Sequence, residues 1–197
     1  MQTVPLFDHS LYAIEFENHK ENKEKALKVI HDISQKSINC NNMHHAQVHQ
    51  TVPGLQMNNA FKYVVKSQGL GQFAQQMHRN IGLPAERDLQ VVNMCAYIVP
   101  PGAQLKMHDQ YGFYSANYFI HSPANSGMFI IDSNIHCRFF ELVGVTEQNE
   151  WNSHTRAFNM PESGCYIVPS HLKVGTTTNN SDDTAVSLQF VLDVVEK

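Results

Sequence analysis

Pro100-Pro101-Gly102-Ala103-Gln104-Leu105-Lys106-Met107-His108-Asp109-Gln110 is the stretch on which the reading of this sequence turns. A Pro-Pro-Gly turn delivers a short extended run that ends on a single histidine, His108. An apolar and aromatic run, 111–120, follows at once. A second turn, Ser122-Pro123-Ala124-Asn125-Ser126-Gly127, returns the chain into Met128-Phe129-Ile130-Ile131-Asp132. Turn, strand, loop, strand, turn, strand is the punctuation of an antiparallel sheet. A pocket with chemistry in it is expected to have His108 at its mouth.

Beyond this stretch the pattern continues. Extended segments are expected at 90–99, 105–108, 114–120, 128–132, 139–143, 154–159, 165–168, 174–177 and 184–194, separated by turn residues. Upstream, 4–16 alternates with Tyr12, Ile14 and Phe16 on one face, a further extended run. Ala26, Leu27, Ile30 and Ile33 recur at helical spacing within 18–36, among Lys and Glu, which predicts a surface helix with one apolar stripe. A second helix is expected over 58–79, with Phe61, Val64, Val65, Phe73 and Met77 on its buried face. Gly69 and Gly71 weaken its middle and Asn80-Ile81-Gly82 caps its end. Segment 38–54 is polar and irregular. Short strands behind two leading helices predict a mainly β sandwich or jelly roll with the helices packed on one outer face.

The 197 residues suffice for one well-cored domain, with 1–88 as N-terminal strand and helices and 89–197 as the β core. A net charge of −4 gives no basic footprint for nucleic acid. The N-terminus does not resemble a signal peptide, and no run approaches the roughly 18 apolar residues of a membrane helix. Cys40, Cys95, Cys137 and Cys165 are spread without a Cys-x-x-Cys pair. They are expected to be reduced and mostly buried, as in a cytoplasmic protein.

Pro-Pro-Gly-Ala followed by His108, then Ser115-Ala116-Asn117-Tyr118-Phe119, Pro123, Ser126-Gly127, Ile131-Asp132, Gly164-Cys165-Tyr166-Ile167-Val168-Pro169-Ser170 and Val186-Ser187-Leu188-Gln189-Phe190 form a connected series. This series resembles the small 2-oxoglutarate/iron(II)-dependent oxygenase-like family frequent in bacteria and their phages. The resemblance implies a double-stranded β-helix, a cupin-like jelly roll whose open end holds iron. A His-x-Asp or His-x-His pair and a distal His hold that iron, and a basic residue near the end of the chain grips 2-oxoglutarate. The chemistry is plain: ligands at i and i+2 of a strand share a face, a third from a distant strand completes a facial set, and Arg presents a two-pronged donor to a carboxylate.

The sequence departs from that pattern at several positions. His108 stands where the first ligand belongs, but i+2 is Gln110. The distal position is Val174, and the basic residue is replaced by Ala185 and Val186. The joint loss of Gln110, Val174 and Ala185 from the pattern implies a protein without iron or 2-oxoglutarate. Such a pseudoenzyme serves as a binding or structural module with protein partners or self-association, a phage-particle component being one form of it. The alternative keeps Fe(II) and 2-oxoglutarate. A bulge at Asp109 and a turn after Pro169 would assemble His108, Asp109 and His171 as a rearranged triad of an active dioxygenase. Lys173 would then take the place of the lost cation and Tyr118 would lie beside the cosubstrate.

Fainter signals have plain readings. His44-His45 with His49 reads as an exposed polar loop, and His136-Cys137 as an exposed His beside a buried Cys. Asp132 reads as the end of a strand, and Trp151 as an anchor or contact in a loop. No Ser-His-Asp ordering and no phosphate-binding Gly-rich loop is present.

Overall fold

The computed structural model describes residues 2–6, 9–36, 48–132 and 155–197. In chain order its elements are β1 (Gln2–Leu6), β2 (His9–Glu15), α1 (His19–Lys36), β3 (His49–Gln50), α2 (Lys62–Val65) and α3 (Gln68–Asn80). There follow β4 (Arg87–Val99), β5 (Tyr114–His121), β6 (Met128–Asp132), β7 (Thr155–Asn159), β8 (Gly164–Pro169), β9 (Lys173–Thr176) and β10 (Ala185–Glu196). Seven strands form one sheet in the order β1-β2-β8-β5-β10-β4-β3, and three form a second, β7-β6-β9. An isolated antiparallel bridge between His108 and Val174 lays the segment before β5 against β9. From β4 onward the chain therefore winds between the two sheets, which is the path of a double-stranded β-helix.

Alternation along the strands sorts the core. Leu188, Phe190 and Leu192 of β10 join Tyr114, Ala116, Tyr118 and Ile120 of β5 on the face covered by the helices, where Ile30, Phe73 and Met77 meet them. On the opposite face, inside the roll, Phe119 and Val168 pack against Phe129, Ile131 and Val174 of the small sheet. Each large apolar side chain so buried contributes about 1.5–3 kcal/mol. β5 is covered on both faces, so Tyr114 through Ile120 are all buried.

The strands from β4 onward lie close to where the sequence places them, and α1 matches its predicted span. Three differences have physical causes. The extended run at 4–16 is a hairpin, with Val4 opposite Leu11. The helix expected over 58–79 is interrupted: Ser67 leaves helical geometry and its hydroxyl accepts from Leu70 N at 3.2 Å, starting α3 afresh. Gly69 and Gly71 thus fall in the first turn of a new helix rather than weakening the middle of an old one. The run 105–108 meets β9 in one isolated bridge at His108 and in hydrogen bonds between Leu105 and Thr176, and is no regular strand. Cys95 and Cys165 are free and buried. Cys40, Cys137, His44, His45, His136, Trp151 and the strand expected at 139–143 lie outside the described residues. No helix among the described residues is long and apolar enough to cross a membrane.

A polar clamp holds α1 to the roll. The buried Tyr118 hydroxyl donates to His19 Nδ1 at 2.5 Å, and His19 Nε2 donates to Glu162 at 3.3 Å. Lys23 Nζ lies 2.8 Å from the same Glu162 oxygen, and His121 bridges Glu162 and Asp183 at 3.2 and 2.9 Å. Burial alone would raise the Glu162 pKa, but hydrogen bonds from Lys23, His19 and His121 outweigh it and hold the carboxyl at about 2 against an ordinary 4.5. The stability this carboxylate supplies is complete above pH 4.5 and is lost as pH falls toward about 2. Glu162→Gln is expected to flatten the denaturation midpoint against pH in that window. An unchanged slope rules the clamp out as its source.

Candidate functional site

The interior face of the large sheet becomes polar near the bridge. Cα pairing across β4, β10 and β5 sets Cys95, Gln189 and Asn117 in one row. A second row sets Asn93, Val191 and Ser115 side by side. Residues paired across antiparallel strands share a face, so these side chains all point into the roll. Above them crosses the segment that ends in His108. It is buried, with 7% of its surface exposed, and its ring lies 5.6 Å from that of Tyr97.

His108 is tied at both ring nitrogens. Nδ1 donates to the Lys106 carbonyl at 3.0 Å, which places the lone pair on Nε2. That lone pair accepts from the Gln189 amide at 3.2 Å. The same Gln189 nitrogen donates to Gln110 Oε1 at 2.6 Å, and Gln189 Oε1 accepts from the Tyr97 hydroxyl at 3.2 Å. Gln110 Oε1 also accepts from Ser115 Oγ at 2.5 Å, while its amide nitrogen lies 3.3 Å from the carbonyls of His108 and Asp109. Two amides, two hydroxyls and one imidazole thus satisfy one another in a closed network. Beneath it, Asn117 Nδ2 is buried with no hydrogen-bond partner among the described residues.

The network borders a cleft of about 420 Å³ whose lining includes Gln50, Asn93, Tyr97, His108, Asp109 and Tyr111. Cys95 lines it as well, its thiol pushed up to about 11 by burial, with a smaller opposing effect from the Gln50 amide 3.4 Å from its sulfur. Burial also drives the Tyr97 phenol far above its ordinary value, so it stays a donor.

The structure brings only part of the rearranged triad together. Asp109 follows His108 but its side chain is 78% exposed and lies 3.7 Å from Lys173 Nζ. His171 is exposed in the turn after β8. Among the described residues, no group of three or more His, Cys, Asp or Glu side chains is placed to hold a metal ion. Tyr118, expected beside a cosubstrate, faces the helices, because it shares the parity of Tyr114 and Ala116; its hydroxyl meets His19 and Tyr63. Val174 is fully buried opposite His108, and Ala185 is buried at the start of β10 beside Val99. Iron and 2-oxoglutarate do not fit this donor set. The imidazole lone pair and the Gln110 carbonyl are already engaged, Val174 offers no donor, and Ala185 and Val186 offer no cation. Gln189, the centre of the network, lies in the Val186 to Phe190 segment of the resembling series, but the sequence assigned it no role. Its signal in the sequence is a polar residue flanked by the buried Leu188 and Phe190.

No protein-family model and no curated protein matches this chain. Solved structures do, at low identity. The α-ketoglutarate-dependent epimerase SnoN from nogalamycin biosynthesis superposes with a TM-score of 0.67 at 11% identity, over 95% of this chain and 80% of its own. HygX from Streptomyces hygroscopicus, with nickel, 2-oxoglutarate and hygromycin B bound, gives 0.61 at 8%, over 91% and 81%. A prolyl-4-hydroxylase from Pseudomonas putida gives 0.53 at 12%, over 94% and 92%. At these identities the likeness is one of fold, and the fold is that of the 2-oxoglutarate oxygenases.

Proposed function

We propose that this chain is an oxygenase-fold binding module, which holds an organic ligand in the cleft at His108 without iron or 2-oxoglutarate chemistry. The observation that carries this reading is the Gln189 amide on His108 Nε2, at 3.2 Å. The ring atom that would face a metal instead completes a hydrogen-bond network, and that network is satisfied without one. The cleft volume of about 420 Å³ lies within the range of small-molecule sites, roughly 300–1,000 Å³. Its lining mixes aromatic surface with a few convergent polar groups, as such sites do.

Metal analysis of protein purified without oxygen, with a 2-oxoglutarate turnover assay, tests the reading. Sub-stoichiometric iron and no turnover are expected. One iron per chain, lost in a His108→Ala variant and accompanied by 2-oxoglutarate consumption, overturns it in favour of an active dioxygenase using His108, Asp109 and His171.

A further inference from the structure

We infer that the ligand of the cleft at His108 is a neutral saccharide, stacked on Tyr111 at the rim and hydrogen-bonded by the amides within. This inference rests on the binding-module reading and names its ligand class.

Charge narrows the choice first. Among the described residues no Lys or Arg lines the cleft, and the one carboxylate among them, Asp109, already lies beside Lys173. An oxoacid or a phosphate ester would enter without a counter-charge, at the cost of desolvating its own. Hydrogen-bonding type narrows it further. Gln50 and Asn93, both in the lining, each carry a donor and an acceptor on one planar group, which suits vicinal hydroxyls, themselves both donors and acceptors. Gln50 donates to the Cys95 sulfur at 3.4 Å, a weak acceptor that a sugar hydroxyl displaces at a gain.

The aromatic groups settle the shape. Tyr97 is only 2% exposed and already packed against His108, so the described lining offers no slot between two exposed rings for a nucleobase. Tyr111, by contrast, is 78% exposed and Phe113 next to it 44%. The backbone beneath the exposed ring is nonetheless pinned: Ser170 Oγ donates to the Tyr111 carbonyl at 2.8 Å and Phe113 N donates to Leu192 O at 3.0 Å. A ring held in position yet left in water, above a cleft of uncharged amides, presents an apolar face to the C–H side of a pyranose while its hydroxyl edge reaches inward.

The test is a titration of the intact, isotope-labelled chain, followed by nuclear magnetic resonance, with maltose, cellobiose and N,N′-diacetylchitobiose. Adenosine and 2-oxoglutarate serve as comparison ligands. Saturable shifts at Asn93, Tyr111 and Gln189 with at least one disaccharide are expected. Tyr111→Ala is expected to weaken that sugar by roughly tenfold, while Tyr111→Phe keeps most of the affinity; both leave the melting temperature unchanged because the ring is exposed. Absence of saturable shifts with all three sugars at millimolar concentration overturns the saccharide assignment, as does tighter binding of adenosine or 2-oxoglutarate. Failure of the sugars in a chain that also lacks iron removes this assignment alone, whereas stoichiometric iron with turnover removes the reading beneath it.

Discussion

A chain carrying Gln110→Asp and Val174→His together is expected to bind Co(II) with the visible absorption of a two-histidine, one-carboxylate site, roughly a hundredfold more tightly than the parent, or about 2.8 kcal/mol. The backbone dictates this outcome. His108 N donates to Val174 O at 3.0 Å and Val174 N to His108 O at 3.2 Å, so residue 174 sits directly across a hydrogen-bonded antiparallel pair from His108. Side chains of such a pair emerge on the same face with Cα atoms about 5.5 Å apart. Residue 110, two further along, already reaches the same space, since Gln110 meets Gln189 there at 2.6 Å. Two imidazoles and a carboxylate then converge where the wild-type chain sets one imidazole, an amide and an isopropyl group. Burying an imidazole among Leu11, Phe129 and Leu172 costs about 1–3 kcal/mol, so circular dichroism must show the variant folded. Each single substitution supplies only two donors and is expected to give little absorption. A folded double variant without a cobalt spectrum means that residue 174 does not face His108, and the derivation of the site from an oxygenase frame falls with it.

Most of the roll was legible because its strands alternate and its turns are built from Pro, Gly, Asn and Ser. β5, β6 and β10 lie within a residue or two of their expected positions. The short-range signals failed where tertiary partners decide. Ser67 reads as one more polar residue in a helical run, and only its cap to Leu70 reveals a new helix. Tyr118 is expected beside the cosubstrate in the active-dioxygenase reading, although its parity with Tyr114 and Ile120 puts it on the helix side of the sheet. Motif positions singled out Gln110, Val174 and Ala185 as departures from the family pattern. They could not show the network around His108, because Gln189 reaches it from a strand 81 residues away. Such a contact is encoded in register between strands, not in spacing along one.

Gly175→Ala is expected to destabilise the chain by about 3 kcal/mol and to disturb His108 without touching it. A Cβ built at Gly175 would stand 2.7 Å from Leu105 O, 2.9 Å from Met107 Sδ and 3.0 Å from Met107 N. The sulfur can swing away, but the carbonyl and the amide belong to backbone that is itself tied down. Thr176 N donates to Leu105 O at 2.8 Å, and Leu105 N to Thr176 Oγ1 at 3.0 Å. Relief therefore requires the 105–108 segment to lift from β9. Overpacking of this kind costs about 1–3 kcal/mol, and each weakened hydrogen bond adds about 1, for a melting temperature lowered by about 10 °C. Because His108 follows within the same segment, its imidazole resonances are expected to shift as the Gln189 contact lengthens. Gly71→Ala is the matching control. Nothing lies within 4 Å of its added methyl, so it should raise stability by up to about 1 kcal/mol through helix propensity and leave His108 unmoved. Equal stability in the two variants, or a His108 signal that ignores Gly175→Ala, would show that the close approach of these backbones is not what holds the site's first residue in place.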